Sequence, residues 1–153
     1  MPTDQEFIEG NRTVIEEFRS NAGIVAALGY PILLLTTTGA RTGRRVTTPL
    51  GYGVDSGRVF VVASKGGAPQ HPTWFYNVTA NPNVTVELGR SCYEADAKVT
   101  SGRERDHLFE VLATDAPQLR EFQQGASRVI PVIVLEGVPA PSSAGLGVSG
   151  GSV

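Results

Sequence analysis

Apolar and polar residues alternate along the first twenty positions with the period of an α-helix. The apolar members of this stripe are Phe7, Ile8, Val14, Ile15 and Phe18. Thr3 and Glu6 form a capping box and Gly23 offers a stop, so we expect a helix over about residues 4–22. The stripe could pack on the core of the domain, on a membrane surface or on a partner protein. The glutamates on the polar face of the helix favour packing on the domain.

From Pro31 onward the pattern becomes that of β-strands. Apolar and β-branched runs bounded by turn residues predict six strands, at residues 32–38, 47–54, 59–63, 84–88, 92–100 and 129–135. The segments 55–58 and 89–90 have the composition of hairpin turns. Two pairs of neighbouring strands are therefore expected to be antiparallel.

Short helices are predicted between and after these strands. One covers about residues 73–80 and ends at the break Asn81-Pro82-Asn83. Ser101 and Glu104 form a capping box for a helix over about 102–113, and a further helix is expected over 117–124. Strands joined by hairpins, without regular strand–helix alternation, argue against a doubly wound parallel sheet. The expected fold class is α+β, a small and mostly antiparallel barrel with flanking helices.

Composition supports one domain and narrows its partners. The chain has 153 residues, 41% of them hydrophobic and 18% charged, which suits one domain over residues 1–136 with a flexible Gly/Ser/Pro-rich tail at 137–153. A net charge of −2 argues against nucleic-acid binding. One cysteine and two separated histidines provide neither an internal disulfide nor a metal-ligand set. The N-terminal residues lack the pattern of a secretory signal, so a cytoplasmic location is expected.

Two glycine-rich turns with basic residues carry the candidate chemistry. Residues 39–45 follow the apolar run 32–35, and residues 63–69 follow the apolar run 59–62 and precede a helix. Glycines let several backbone N–H groups point one way, while Arg41, Arg44 and Lys65 add positive charge. A pair of such turns suggests one extended, negatively charged ligand.

Each of these features also has a simpler interpretation that the residues alone leave open. The segment 39–43 could be a hairpin turn with solvated arginines, and a lone tryptophan such as Trp74 is usually a core anchor. Ser64 could stabilise its turn without touching a ligand. Tyr76 and His71 are better explained as a packing aromatic and a residue that starts a helix than as catalysts.

A set of motifs nevertheless resembles the deazaflavin-dependent nitroreductase family over about residues 11–135. The motifs occur in order at spacings like the family's: Leu33-Leu34-Leu35-Thr36-Thr37-Thr38-Gly39-x-Arg41-Thr42-Gly43, Thr48-Pro49-Leu50, Ala63-Ser64-Lys65-Gly66-Gly67-Ala68-Pro69, Pro72-x-Trp74, Asn77, Ala80-Asn81-Pro82 and Arg128-x-Ile130-Pro131-Val132. Any one of them alone would be a weak signal. Together they imply a split β-barrel of the flavin-reductase and pyridoxamine-oxidase type.

The resemblance also implies a cofactor and its binding residues. The cofactor is the 8-hydroxy-5-deazaflavin coenzyme, factor 420, a hydride carrier with a phosphate and an oligoglutamate tail. The implied cofactor-binding positions are Arg41, Thr42, Arg44, Pro49, Ser64, Lys65, Gly66, Gly67, Trp74 and Asn77. Ser64 is in addition a weak catalytic candidate, because its hydroxyl could hydrogen-bond cofactor or substrate.

By the same resemblance, the expected activity is hydride transfer from the reduced coenzyme to an electron-poor hydrophobic acceptor such as an enone, quinone or nitro compound. Relatives that reduce nitro compounds and quinones place tyrosines in the segment that corresponds to residues 116–122, and this chain has none there. A non-catalytic protein that stores the deazaflavin and a flavin mononucleotide-binding reductase with the same barrel are the alternatives. Barrels of this kind often form homodimers, and the motifs do not specify a mode of assembly.

Overall fold

The computed structural model describes residues 4–141, with the backbone alone for residues 4–9. In chain order the helices are α1 (Asp4–Ser20), α2 (Thr73–Ala80), α3 (Gly102–Asp115) and α4 (Gln118–Gly125). The strands are β1 (Ile32–Thr38), β2 (Arg45–Gly51), β3 (Gly53–Asp55), β4 (Arg58–Val62), β5 (Asn83–Leu88), β6 (Ser91–Val99) and β7 (Val132–Glu136). Single 3-10 turns occupy Ala26–Leu28 and Lys65–Gly67.

The seven strands form one sheet in the order β2-β1-β5-β6-β7-β4-β3, and every neighbouring pair is antiparallel. β2 and β3 lie at opposite edges of this sheet, although Tyr52 alone separates them along the chain. Since two residue steps span at most about 7 Å, the two edges must meet at Tyr52. The sheet therefore curls into a split barrel, as the sequence predicts.

The interior of the curl is filled by apolar side chains from both halves of the sheet and from α2. Its buried members include Leu33, Leu35, Tyr52, Val59, Val61, Trp74, Val78, Val84, Val86 and Ile133. On β1 the side chains of Leu33, Leu35 and Thr37 share this inner face, because alternate residues of a strand point the same way.

The outer face of the sheet is covered by helices on two sides. α3 and α4 pack on β4 and β7 through Phe60, Leu108, Phe109, Leu119, Ile130 and Val132. α1 packs on the other side, where Phe18 is buried against Ile32 and Leu34 of β1. The docking that the apolar stripe favours is therefore what the structure shows.

Two of the six predicted strands have wrong limits, and the sheet has seven strands. The predicted strand 47–54 is β2 and β3 separated at Tyr52. The apolar pattern runs through this corner because Tyr52 and Gly53 are both buried. A side chain at Gly53 would stand 2.4 Å from the Phe60 ring, so this corner requires glycine. At the other end of the chain, β7 begins at Val132 instead of Val129, which is 68% exposed in a connecting segment.

The capping box predicted for α3 is also wrong. Ser101 is the residue before the helix but its side chain makes no capping hydrogen bond. The Glu104 carboxylate instead binds Arg58, with Oε2 to Nη1 at 2.7 Å. An ion pair to Arg58 of β4 thus replaces the expected hydrogen bond between Glu104 and the Ser101 amide. The capping box predicted at Thr3 lies outside the described residues.

The described chain continues past β7 along the core. Val138 is 5% exposed and packs in the barrel interior, with Ala140 against the same cluster. The division at residue 136 stays a prediction, and the rest of the predicted tail, residues 142–153, lies outside the described residues. Within residues 4–141, no helix has the length and apolarity needed to cross a bilayer.

Candidate functional site

The first predicted anion-binding turn, residues 39–44, connects β1 to β2 and is closed by its own backbone. The Gly39 amide donates to the Arg44 carbonyl at 2.8 Å, and the Gly43 amide donates to the Gly39 carbonyl at 3.0 Å. The Thr42 hydroxyl accepts a hydrogen bond from the Arg44 amide at 3.1 Å. These bonds fix the loop while the side chains of Arg41 and Arg44 remain exposed.

Asn77 attaches this first turn to helix α2. The Asn77 side chain is 3% exposed; its Nδ2 donates to Thr37 Oγ1 and its Oδ1 accepts from the Ala40 amide, both at 3.0 Å. A buried amide has to satisfy both its donor and its acceptor, and this geometry does so. Asn77 therefore supports the turn from behind.

The second turn, residues 64–67, follows β4 and has an unusual backbone. Ser64 has a right-handed helical conformation, with φ −77° and ψ −38°. The next three residues have positive φ angles, of 46° at Lys65, 63° at Gly66 and 81° at Gly67. A right-handed residue followed by left-handed ones turns successive N–H groups toward one point, the arrangement called a nest, which binds anions. No described residue accepts a hydrogen bond from the amide of Lys65 or of Gly66.

Gly67 brings the second turn against helix α4. A Cβ atom at Gly67 would lie 3.1 Å from the Cα and the carbonyl oxygen of Phe122. Both the positive φ angle and this close approach require glycine. The segment 116–122, which contains no tyrosine, therefore lies beside the turn, with Phe122 at the contact.

Arg128 holds the second turn from inside, a role that sequence analysis missed. Its Nε donates to the Ala68 carbonyl at 3.0 Å, its Nη1 to the Ala63 carbonyl at 3.2 Å and its Nη2 to the Ser64 carbonyl at 2.8 Å. In the sequence, Arg128 stands out only as the first residue of the last family motif, and that motif does not indicate which residues Arg128 binds. The partners lie about sixty residues earlier in the chain, beyond what local patterns can connect.

His71 accepts the remaining strong hydrogen bond of Arg128. Nη1 of Arg128 lies 2.8 Å from His71 Nδ1, so Nδ1 must be unprotonated and Nε2 carries the hydrogen. Burial, and then the positive charge of Arg128, lower the pKa of His71 below its ordinary value. The His71 ring packs against the rings of Phe75 and Tyr76 in tilted and edge-on geometries, with centroids 4.6 Å and 5.6 Å away. His71 is a neutral structural residue at this position.

A buried arginine of α3 supports the segment that carries Arg128. Arg105 of α3 donates to the Ile130 carbonyl at 3.0 Å and to Gln123 Oε1 at 2.7 Å. Gln123 in turn donates to the Arg128 carbonyl and accepts from the Ile130 amide, both at 2.8 Å. Helices α3 and α4 are thereby linked to the second turn through polar groups.

The basic side chains at the two turns form no ion pairs among the described residues, unlike several other arginines of the protein. Among the described residues, Arg41, Arg44 and Lys65 form no ion pair. Arg19, Arg58 and Arg120 each bind a carboxylate within 3 Å. Unpaired cations beside free amides make a local positive field that favours a polyanion.

Both turns lie close to one short helix, since the second turn precedes α2 by five residues and the first turn is hydrogen-bonded to it. α2 is eight residues and thus about 12 Å long, with the second turn before it and the first turn bound to Asn77. The Ser64 hydroxyl makes no hydrogen bond within residues 10–141 and is available to a ligand.

Two predicted cofactor-binding residues lie apart from the turns. Pro49 pairs with Leu34, so it shares the outer face that α1 covers. Trp74 is 5% exposed within the barrel core, which makes it a packing residue in this structure. Whether either touches a ligand stays a prediction from the resemblance.

A curled antiparallel sheet with two cationic turns at one helix defines a cofactor-binding split barrel. The family model described as F420H(2)-dependent quinone reductase matches residues 10–137, and the chain belongs to this family. This confirms the predicted family, the enzyme class of F420-dependent oxidoreductase and the cofactor, reduced coenzyme F420.

Individual relatives support the same assignment. An F420H(2)-dependent quinone reductase of Mycobacterium tuberculosis (strain H37Rv) is 39% identical over 108 residues, which cover 69% of this chain and 72% of that protein. A solved F420-H2 dependent reductase, FDR-A, is 40% identical, with a TM-score of 0.64 over 69% of this chain and 94% of its own. A solved domain-swapped dimer is 35% identical, with a TM-score of 0.67 over 88% of this chain and 100% of its own.

The residues present at the turns fit this cofactor. The phosphate and the glutamate tail of the deazaflavin are anionic, and the turns offer free amides, unpaired Arg41, Arg44 and Lys65, and the free Ser64 hydroxyl. In the described chain, no carboxylate pairs with these three cations and would compete with an anionic ligand.

Proposed function

We propose that this protein transfers a hydride from reduced F420 to an electron-poor, hydrophobic acceptor of the quinone, enone or nitro class. The observation that carries the proposal is the nest at residues 64–67, flanked by unpaired cations, in a member of an F420H(2)-dependent family. The bound deazaflavin supplies the hydride, and the protein supplies binding, orientation and a shielded surface.

The chain's own residues divide this work between the two turns. The amides of Lys65 and Gly66 and the side chains of Lys65 and Arg41 bind anionic groups, with Arg41 able to form a bidentate contact. Arg44 adds charge, while Thr42 and Gly67 give the turns their shape. The Ser64 hydroxyl makes no hydrogen bond within residues 10–141, so it can donate to the cofactor or to the acceptor. This free hydroxyl is the reason to keep Ser64 as a catalytic candidate.

We propose that the acceptor is hydrophobic, whichever of the three classes it belongs to. Helix α4, which lies against the second turn at Gly67, carries Phe122 and no tyrosine in the segment 116–122. Without tyrosine hydroxyls, this segment offers fewer hydrogen bonds to an acceptor, which favours a hydrophobic acceptor without choosing among the three classes.

The first experiment is a titration of the purified protein with F420, followed by cofactor fluorescence, with flavin mononucleotide in parallel. Tight binding selective for F420 supports the proposal, whereas selective flavin binding replaces it with a flavin enzyme of the same fold. Turnover of reduced F420 with quinones, enones and nitro compounds then separates an enzyme from a storage protein. Binding without turnover of any acceptor would favour storage.

We also propose that the protein forms a homodimer. A relative 35% identical was solved as a domain-swapped dimer. Ile24 and Tyr30, which are 61% and 56% exposed, provide apolar surface, and Val46 of edge strand β2 is 43% exposed. Light scattering on the eluting protein tests this directly, and a mass of one chain at micromolar concentration would contradict it.

A further inference from the structure

Arg128 makes four side-chain hydrogen bonds within the protein, more than Arg41, Arg44 or Lys65 makes. A guanidinium has five N–H groups. In this structure four contacts use them: the carbonyls of Ala63, Ser64 and Ala68, and Nδ1 of His71. At most one N–H group is left for another partner. Most of the hydrogen-bonding capacity of Arg128 is therefore spent on the protein itself and not on a ligand.

These contacts fix the direction of the turn's peptide groups. The Ser64 carbonyl is bound both by Arg128 Nη2 at 2.8 Å and by the Gly67 amide at 2.9 Å. The Lys65 carbonyl accepts from the Ala68 amide at 3.1 Å. With these carbonyls held inward, the amides of Lys65 and Gly66 have no acceptor among the described residues and are left for an anion.

The left-handed conformation of Lys65 needs such external support. A side chain other than glycine or asparagine is disfavoured at positive φ and persists there when surrounding contacts impose it. Arg128 binds carbonyls on both sides of Lys65, at Ser64 and Ala68. It is the side chain best placed to impose this conformation.

We propose that Arg128 is the positioning residue of the anion site, which holds the turn 64–68 so that the amides of Lys65 and Gly66 face the ligand. This inference rests on the proposed function of the same turn. Its chemistry concerns the anionic groups of the cofactor and not the acceptor. The positive charge of Arg128 is secondary to the fork geometry of its N–H groups.

The discriminating variant is Arg128→Lys, because it keeps the charge and loses the fork. An ammonium carries its three donors on one nitrogen and cannot reach carbonyls on both sides of the turn as a guanidinium does. Arg120→Lys is the matched control: Arg120 lies on α4 and its side chain binds Glu110 at the surface, with no hydrogen bond to the turn.

Two readouts separate positioning from charge. In the protein without cofactor, hydrogen exchange at the amides of Gly67 and Ala68 should be at least about tenfold faster in Arg128→Lys, since their turn is loosened. The dissociation constant for F420 should rise about tenfold or more, and kcat at saturating F420 should change much less. Arg120→Lys should match the wild type in both readouts.

Unchanged exchange at Gly67 and Ala68 together with unchanged F420 affinity in Arg128→Lys would overturn the inference. If the wild type itself fails to bind F420, the proposed function fails, while the exchange comparison still decides whether Arg128 shapes the turn. Should Arg128→Lys not fold, wild-type NMR provides the test. The side-chain N–H groups of Arg128 should then give separate, exchange-protected signals, and solvent-averaged signals would overturn the inference.

Discussion

The two turns predicted to bind anions are alike in composition but are held in different ways. The first, residues 39–44, closes on itself through bonds between Gly39, Gly43 and Arg44, with one buried support from Asn77. The second, residues 64–67, has three consecutive positive φ angles and depends on Arg128, which is about sixty residues further along the chain. Local sequence therefore predicts where both turns lie, but it does not predict the distant contacts that hold the second one.

The difference also concerns what each turn offers to a ligand. In the first turn the backbone amides of Gly39 and Gly43 are used internally, and the exposed side chains of Arg41 and Arg44 are its cationic groups. In the second turn the amides of Lys65 and Gly66 remain free in the described structure. Long flexible cations can adapt to a mobile tail, whereas fixed amides suit a compact group such as phosphate.

The largest expected effect is on the second turn when its support is removed. Arg128→Ala leaves three carbonyls and His71 without their donor, and we expect the free energy of unfolding to fall by about 3 kcal/mol. Urea denaturation measures it. Arg44→Ala, at an exposed position of the first turn, should change stability by less than about 0.5 kcal/mol. Equal small losses in both variants would mean that the second turn also holds its own shape.

The next effect concerns affinity and compares the cations of the two turns. Lys65→Ala and Arg41→Ala should each weaken F420 binding by about 1.5–3 kcal/mol, the range for hydrogen bonds to charged groups. Fluorescence titration measures both, with Arg103→Ala, at an exposed position of α3, as a control for nonspecific charge loss. If both variants bind as the wild type does, neither turn is the phosphate site.

A smaller effect is expected from detaching the first turn. Asn77→Ala removes the acceptor of the Ala40 amide and the donor to Thr37, and should cost about 1–2 kcal/mol of stability. Hydrogen exchange at Ala40 should accelerate while exchange at Gly67 stays unchanged. Thr79→Ala on the exposed side of the same helix is the control. Faster exchange at Gly67 as well would show that the two turns are coupled through α2.

The smallest effect is a dependence on pH that belongs to the second turn alone. The pKa of His71 is lowered from its ordinary value of 6.5 by burial and by Arg128, so the folded protein disfavours the imidazolium. By linkage, stability is complete above about pH 6.5 and is lost as pH falls from there through the lower folded pKa. Protonated Nδ1 would also oppose Arg128, and the other neighbouring rings, Phe75 and Tyr76, carry no charge to offset it.

The variant that tests this is His71→Gln, whose amide oxygen can accept from Arg128 without titrating. Stability and F420 affinity of the wild type should decline between pH 7.5 and pH 5.5 more than those of His71→Gln. The first turn contains no group that titrates in this interval. Parallel pH profiles for the two proteins would contradict the assignment of His71 Nδ1 as the acceptor.

The sequence was sufficient for the fold class, for docking of α1 and for the positions of both turns, because each depends on a local pattern. It was misleading at Tyr52, where buried residues continue the apolar pattern around a corner that only the opposite sheet edge defines. Ser101 was misleading because its expected partner Glu104 binds Arg58 instead. The role of Arg128 depends on contacts across the chain, and composition gives no sign of them.

The position of β7 has a consequence for how the protein is made. β7 is the last strand of the described chain, yet it lies in the sheet between β6 and β4 and joins the two halves. A ribosome has therefore synthesised six strands before the barrel can be completed, and the early halves wait with unpaired edges at β6 and β4. The strand pairs that complete the sheet are distant in sequence, so we expect folding to be slow for a chain of this size. We also expect chaperones to protect the unpaired edges chiefly in the interval before residues 132–136 emerge from the ribosome.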